Sequence, residues 1–246
     1  TSAVVSLSPQ QLFGRHCAVL GATGGGKSWT VARLVEQAMR YRSKVILLDA
    51  TGEFYTLTSA AVRHYSVGVG DLRPSEARVV EFPYTLLSEP DLFGIFSPSG
   101  QSQGPKLREA IRSLKLARLV PALATNGIVT KAHKPKAPFE DAYELHVSAI
   151  EGGCADFDIR CLSKQVAAEC VFPSGGTAAA PDHSRWGQPS NETTYCVSLQ
   201  MRIESIIQSV NLACIFAPTG ELTIPNVIDE FLGGDDSSVL RLSLQN

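Results

Sequence analysis

The sequence predicts an α/β fold in which a parallel sheet carries a helical insertion. Two apolar runs, residues 17–20 and 45–48, are typical of strands that are buried on both faces. Between them, Val31, Val35 and Ala38 recur at helical spacing. A strand, a helix and a strand in this order almost always join as a right-handed unit with parallel strands. The loop after the first strand is therefore expected at the carboxyl edge of the sheet, where open α/β sheets bind their ligands.

Composition narrows the class of protein. The chain has 246 residues, of which 44% are hydrophobic and 19% are charged, so it can bury a core and is not a disordered chain. Its net charge of -2 excludes a histone-like polycation, and any contact with nucleic acid must be local. No apolar run reaches the ~18 residues of a membrane-spanning helix, so we expect no membrane partner. Six cysteines without a CxxC pair indicate free thiols in a cytoplasmic protein.

The predicted elements divide the chain into a core that is interrupted once. Residues 1–84 are expected to form the first half of the core, residues 85–210 the helical insertion, and residues 211–246 the return to the core. The insertion is assigned from apolar residues that recur at helical spacing. Residues 173–190 are rich in Gly, Ala, Pro and Ser, which predicts a loop within it.

A basic stripe lies on one predicted helix of the insertion. Arg108, Arg112 and Lys115 follow one another at helical spacing, and Lys106 and Arg118 flank them. Such a stripe suits the phosphates of DNA. The alternative is a solvated face or a face between subunits, and the sequence leaves both open.

The segment from Gly21 to Ser28 carries the strongest chemical signal. It reads GATGGGKS and fits the phosphate-loop pattern G-x-x-x-x-G-K-[ST], known as Walker A, between a predicted strand and a predicted helix. Glycines let successive backbone N–H groups turn toward a phosphate, and the helix adds the positive end of its dipole. Lys27 is expected to reach the β- and γ-phosphates of ATP, and Ser28 to ligate Mg²⁺. The predicted nucleotide-binding residues are Gly21, Thr23, Gly24, Gly25, Gly26, Lys27, Ser28 and Trp29.

Two acidic residues follow the second apolar run. Asp49 ends that strand, so we expect it at the same sheet edge as the phosphate loop, and Glu53 comes four residues later. Phosphoryl transfer depends on positioning and charge compensation, so Asp49 is predicted to hold Mg²⁺ or its water, and Lys27, Asp49 and Glu53 are the predicted catalytic residues. The alternatives are that Asp49 caps a turn and that Glu53 is solvated or structural.

These motifs together resemble a known family. Residues 12–16, the phosphate loop at residues 21–28, and LDATGEF at residues 48–54 are similar to the HerA-type ATPases of the HerA/FtsK group. The resemblance implies a RecA-like P-loop NTPase core that assembles into a homo-hexameric ring. It also implies ATP-driven, helicase-type movement along double-stranded DNA, beside a nuclease or another effector subunit.

The same family carries a Walker B strand that ends in Asp-Glu after the helical insertion. Residues 227–230 read VIDE, but Pro225 and Asn226 before them and Gly233 after them predict a short helix instead. We therefore expect the Walker B acids, and an arginine finger from a neighbouring subunit, outside residues 1–246. On this expectation the isolated chain hydrolyses ATP negligibly, because hydrolysis needs the whole ring.

Three classes of function remain open from the sequence. The first is a ring-forming translocase on double-stranded DNA. The second is an ATPase ring whose main role is to scaffold and gate an effector subunit. The family resemblance implies this role because it extends to some antiviral defence complexes. The third is a P-loop phosphotransferase that acts on a small molecule.

Overall fold

The computed structural model describes residues 8–41, 43–68, 70, 73–235 and 238–245, and it divides into two compact units. One unit comprises Thr1–Phe82 and Thr219–Asn246, and the other is Pro83–Pro218. The chain thus leaves the first unit once and returns to it. The helices and strands of the first unit are α1 (Pro9–Phe13), α2 (Lys27–Ala38), β1 (Val45–Asp49), β2 (Val62–Val67), β3 (Arg78–Val80), α9 (Ile224–Gly233) and β6 (Val239–Ser243). Those of the second unit are α3 (Glu89–Phe96), α4 (Gly100–Leu119), α5 (Ala137–Ile150), α6 (Leu162–Ala168), β4 (Gly175–Thr177), β5 (Ala180–Asp182), α7 (Glu192–Ile207) and α8 (Ala213–Phe216).

The first unit is built on a parallel sheet of four strands in the order β1-β6-β2-β3. The last strand of the chain lies between the first two, with Val239 beside both Val45 and Val62. All five residues of β6 are buried, as a central parallel strand requires. The α/β fold with a parallel sheet is therefore confirmed, and the sequence alone did not predict this strand order.

Residues 17–20 do not form the strand that their apolar run predicts. They carry no strand assignment, and Leu20 is 88% exposed. An apolar run becomes a strand only when it pairs with a sheet edge. In the described part of the chain, β1 pairs only with β6, so its other edge has no strand beside it. The run that precedes the phosphate loop thus stays outside the sheet.

Helices of the same unit pack on both faces of the central strand β6, whereas Ile46 and Leu48 of the edge strand β1 are exposed. On one face, Val35 of α2 packs with Val62 and Val239. On the other face, Phe231 of α9 is fully buried against Leu240. The two sets alternate along β6 because successive side chains of a strand point to opposite faces. This packing fixes the start of α2, and hence the phosphate loop, relative to the strand ends.

Residues 227–230 lie inside α9, as their flanking residues predict. Val227 packs into the core, and the helix ends at Gly233, after which the N–H of Gly234 donates to the carbonyl of Glu230. Glu230 itself forms an exposed ion pair with Arg63 at 2.9 Å. The Asp229–Glu230 pair is therefore not at the end of a strand, and it cannot serve as Walker B acids in this fold.

The second unit is mostly helical, with α4 as its central element. The face of α4 that contains Leu107, Ala110 and Ile111 is buried, and α6 and α7 pack around it. The predicted loop at residues 173–190 was wrong in part, because β4 and β5 form a short antiparallel hairpin within it. No helix in the described residues is long and apolar enough to cross a membrane.

The basic stripe of α4 is neutralised by the unit's own groups. Lys115 is buried, and its ammonium donates to the carbonyls of Ile150 and Gly152. Burial lowers the pKa of Lys115. The other ion pairs of the stripe are Lys106–Glu192, Arg108–Glu89, Arg112–Glu109, Arg112–Glu151 and Arg118–Asp156. Each basic residue of the stripe therefore has a partner within its own unit, and Lys115 is buried and does not face solvent.

A buried ion pair joins the two neighbouring strands β1 and β6. Arg241 and Asp49 are 0% and 1% exposed, and Nε of Arg241 donates to Oδ2 of Asp49 at 2.7 Å. Arg241 also donates through Nη1 to the carbonyl of Arg73 at 2.7 Å. Two charges in a dry interior stabilise a fold only while each keeps its partner.

We expect Arg241→Met to lower the free energy of unfolding by about 3–5 kcal/mol, because it leaves the Asp49 carboxylate buried without its counter-charge. The measurement is chemical denaturation followed by circular dichroism. As the control, Arg33→Met removes an exposed pair with Glu36 and should cost under about 1 kcal/mol. Adding Asp49→Asn to Arg241→Met should recover part of the loss. If Arg241→Met and Arg33→Met lowered the free energy of unfolding equally, the buried pair would not be a special contributor to stability.

Candidate phosphate-binding site

The segment between residue 20 and α2 forms a tight loop with two glycines in the left-handed region. Gly24 and Gly26 have φ of 77° and 78°, which other residues adopt only at a cost. An ideal Cβ built on either glycine meets nothing within 4 Å, so the space at these positions is open. Gly25 lies between them, and its N–H donates to the carbonyl of Ala22 at 3.0 Å.

Lys27 folds back over this loop. Its Nζ donates to the same Ala22 carbonyl at 2.8 Å, and its Cγ lies 3.5 Å from an ideal Cβ at Gly21. The ammonium has no carboxylate partner among the described residues. The one cation of the loop is therefore held by a single neutral oxygen, which an anionic ligand can replace.

The N-terminus of α2 lies at the end of the loop and has no side-chain cap. Gly26 is the N-cap residue, so the backbone N–H groups of the first turn, including that of Ser28, receive no bond from a capping side chain. These groups form an anion site together with the helix dipole. Trp29 is 69% exposed, and the Arg33 guanidinium lies 5.8 Å from its ring centroid.

The loop and the start of α2 have the groups that a triphosphate needs. They offer open space over two glycines, uncapped backbone N–H groups and one ammonium without a carboxylate partner, all within residues 21–29. The predicted residues Gly21, Thr23, Gly24, Gly25, Gly26, Lys27, Ser28 and Trp29 thus fall in one continuous stretch of loop and first helical turn. The Ser28 hydroxyl on that turn would be a ligand for a Mg²⁺ ion bound to such a triphosphate.

Asp49 does not present a free carboxylate at the sheet edge. Its Oδ1 accepts from the N–H of Glu53 at 3.1 Å, and its Oδ2 accepts from the N–H of Phe54 at 3.0 Å. The same Oδ2 accepts from Arg241. The alternative that the sequence left open, that Asp49 caps a turn, is the arrangement that the structure contains. A direct role in metal binding or catalysis would require Asp49 to release Arg241 or the turn.

Glu53 begins the short 3-10 turn that Asp49 caps. Gly52 precedes it with φ of 70°, and the turn runs over Glu53–Thr56. The Glu53 side chain is exposed and has no hydrogen bond or ion pair within the described ranges. Phe54 packs in the cluster that contains Val35 of α2, so the turn lies against the phosphate-loop helix. Of the two predicted acids, only Glu53 is therefore free to act on a ligand.

The sequence reasoning missed Arg241 as a member of this site. Its signal is a single charged residue in the middle of the apolar strand VLRLS, where a buried counter-charge must exist. His64 lies beside Arg241 in the strand register, and its Nε2 donates to the carbonyl of Leu57 at 2.9 Å. Burial lowers the pKa of His64, which favours the uncharged ring beside Arg241.

Comparisons with known proteins agree with this geometry. The family model described as "Helicase HerA, central domain" matches residues 1–144, which is more than half of the chain. A protein of Methanocaldococcus jannaschii described as a probable helicase is 27% identical over 156 residues, which cover 60% of this chain and 28% of that protein. The chain thus spans well under two thirds of that relative.

We expect Gly25→Ala to weaken the binding of a fluorescent ATP analogue by about tenfold or more. The new Cβ would lie 2.9 Å from the Ala22 carbonyl, so the turn that also holds Lys27 must shift, and its hydrogen bonds are lost. The control is Gly94→Ala, where a Cβ meets nothing within 4 Å in α3. Unchanged affinity in Gly25→Ala would show that this turn does not shape the anion site.

Proposed function

The chain belongs to the HerA helicase central-domain family, and from this we propose that it binds and hydrolyses ATP as the motor subunit of a ring. The proposal extends to movement of that ring along double-stranded DNA beside a nuclease or another effector subunit. The observation that carries it is the phosphate loop at the uncapped start of α2. A P-loop NTPase domain related to helicases is the part that the family match supports directly.

Each residue of the loop has a task in this proposal. The glycines allow the backbone N–H groups to face the phosphates, and Lys27 exchanges the Ala22 carbonyl for a phosphate oxygen. Ser28 holds Mg²⁺, which supplies charge compensation for the phosphates when it is bound. All of these groups lie in one loop and one helical turn, so little rearrangement is needed beyond the Lys27 side chain.

Glu53 and Asp49 have different roles in this proposal, although the sequence predicts both as catalytic residues. Glu53 is the exposed carboxylate, and it orients the attacking water as general base. Asp49 is its positioning residue, because the Asp49 carboxylate holds the backbone N–H groups of Glu53 and Phe54. Arg241 fixes Asp49 in turn. Turnover therefore depends on a chain of contacts from β6 to the exposed acid.

The ring, the DNA and the effector are proposals for the whole protein. Their support is the family membership and the description of the relative as a probable helicase. The neutralised stripe on α4 gives them no support, so the DNA contact is assigned to no residue here. We place the protein in the cytoplasm because its six cysteines contain no CxxC pair and are scattered along the sequence, as the sequence analysis predicts.

The oligomer and the substrate are tested on the full-length protein. Mass photometry in the presence of ATP is expected to show a homo-hexamer, and double-stranded DNA is expected to stimulate ATP turnover. A hexamer that DNA does not stimulate would favour the scaffold of a defence effector. A monomer that transfers phosphate to a small molecule would overturn the proposal.

We expect Lys27→Ala to reduce ATP turnover of the full-length protein by at least about 100-fold, because the only ammonium in the phosphate loop is lost. The fold should persist, since the Lys27 ammonium contacts only the exposed Ala22 carbonyl. The control is Lys164→Ala, which removes an exposed lysine from α6. Turnover near that of the unmodified protein would contradict the phosphate-loop assignment.

We expect Glu53→Gln to reduce ATP turnover by about 10²–10⁴-fold while nucleotide affinity and melting temperature stay unchanged, because an exposed general base is lost. Turnover is followed by phosphate release and affinity by calorimetry. Asp49→Asn, in contrast, should lower the melting temperature and turnover together, because it weakens the bond from Arg241. If Asp49→Asn reduced turnover without any loss of stability, Asp49 would be the catalytic acid instead.

A further inference from the structure

The helical unit contains a cavity that the phosphate chemistry does not use. It has a volume of about 420 Å³ and lies among α4, α5 and the segment around Trp186. Cavities of this size suit small ligands or single side chains. Its lining combines aromatic rings with carboxylates, and this combination determines which ligands it can accept.

Three aromatic residues, Phe139, Tyr143 and Trp186, line the cavity. The rings of Phe139 and Trp186 meet edge to face, with centroids 5.0 Å apart and an interplanar angle of 76°. The Lys131 ammonium lies 5.4 Å from the centroid of the Trp186 ring. The indole therefore already accepts a cation on its face, as the negative face of an aromatic ring favours.

The two cations that line the cavity are more than neutralised. Arg112 contacts Glu109 at 3.0 Å and Glu151 at 2.7 Å. Lys131 contacts Glu169 at 2.5 Å and Glu109 at 3.7 Å. Each of the two cations thus has two carboxylate partners.

Two further carboxylates are left over. Glu140 and Glu144 line the cavity one helical turn apart on α5, and both are exposed. Neither side chain has an ion pair or hydrogen bond in the part of the chain that the structure describes. The net charge that a ligand meets is therefore negative, next to aromatic faces.

We infer that this cavity binds an alkylguanidinium group, with its plane against the aromatic rings and its N–H donors on Glu140 and Glu144. A guanidinium is planar, weakly hydrated and always charged, so it can stack on a ring and donate to two carboxylates at once. The same chemistry occurs in an arginine side chain of a protein and in a free small cation. The inference does not rest on the proposed ATPase function.

The test uses fluorescence of Trp186 in the full chain. Trp29→Phe removes the other of the two tryptophans, so the emission reports the cavity alone. N-acetylargininamide represents an arginine of a protein, propylguanidinium represents a free cation of the same charge, and N-acetylcitrullinamide is the uncharged match of the first. We expect a saturable change with at least one guanidinium compound and none with the citrulline compound, at constant ionic strength. Tighter binding of the arginine compound points to a protein segment, and tighter binding of propylguanidinium points to a small molecule.

Variants on α5 distinguish the role of the two carboxylates in binding from a general effect on the fold. Glu140→Gln and Glu144→Gln should each weaken guanidinium binding by about two- to fivefold, and added salt should weaken it further. Asp141→Asn is the matched control, because Asp141 is exposed on the same helix and does not line the cavity. An equal response to the citrulline compound, no saturable response to either cation, or equal effects of all three variants would overturn the inference.

Discussion

The buried pair of Arg241 and Asp49 is the constraint on which the phosphate-binding unit depends. It joins the central strand β6 to β1, and the same carboxylate holds the turn that begins at Glu53. A charge buried this deeply is costly alone, so sheet order, turn and acid are coupled. Without β6 between β1 and β2, Asp49 would lose its counter-charge, and the turn would lose its anchor. The strand β6 thus determines the geometry at the end of β1, although the two strands lie far apart in the sequence.

Much of this arrangement could be predicted from local sequence patterns. Helix α2, the strand β1 and the helical character of residues 227–230 follow from periodicity, glycines and prolines near each segment. The position of β6 could not be predicted, because strand order depends on pairing between distant segments. Residues 17–20 were wrongly predicted as a strand for the same reason, since an apolar run does not show which strand it would pair with. At the site, the loop residues followed from their motif, whereas the sequence left the Asp49 cap as one of two alternatives because it did not reveal the Arg241 partner.

The helical unit illustrates why a row of basic residues does not by itself predict a nucleic-acid surface. Every basic residue of the α4 stripe has an acidic or carbonyl partner within its own unit, and most of those partners come from distant positions in the sequence. Spacing on a helix reveals which residues share a face but not what packs against that face. Away from the stripe, Glu140 and Glu144 on α5 are two exposed carboxylates of this unit without an ion pair in the described residues.

The hydrogen bond between Lys27 and the Ala22 carbonyl competes with any anion that binds to the phosphate loop. Any anion that binds must replace a hydrogen bond from the charged ammonium to a neutral carbonyl, and hydrogen bonds to charged groups contribute about 1.5–3 kcal/mol. A weakly charged anion gains little from this exchange, whereas a polyphosphate gains contacts along its whole length with the loop amides and the ammonium. The contact therefore lowers the affinity of the loop for every anion by a similar factor, and this loss matters most for small anions that make few other contacts.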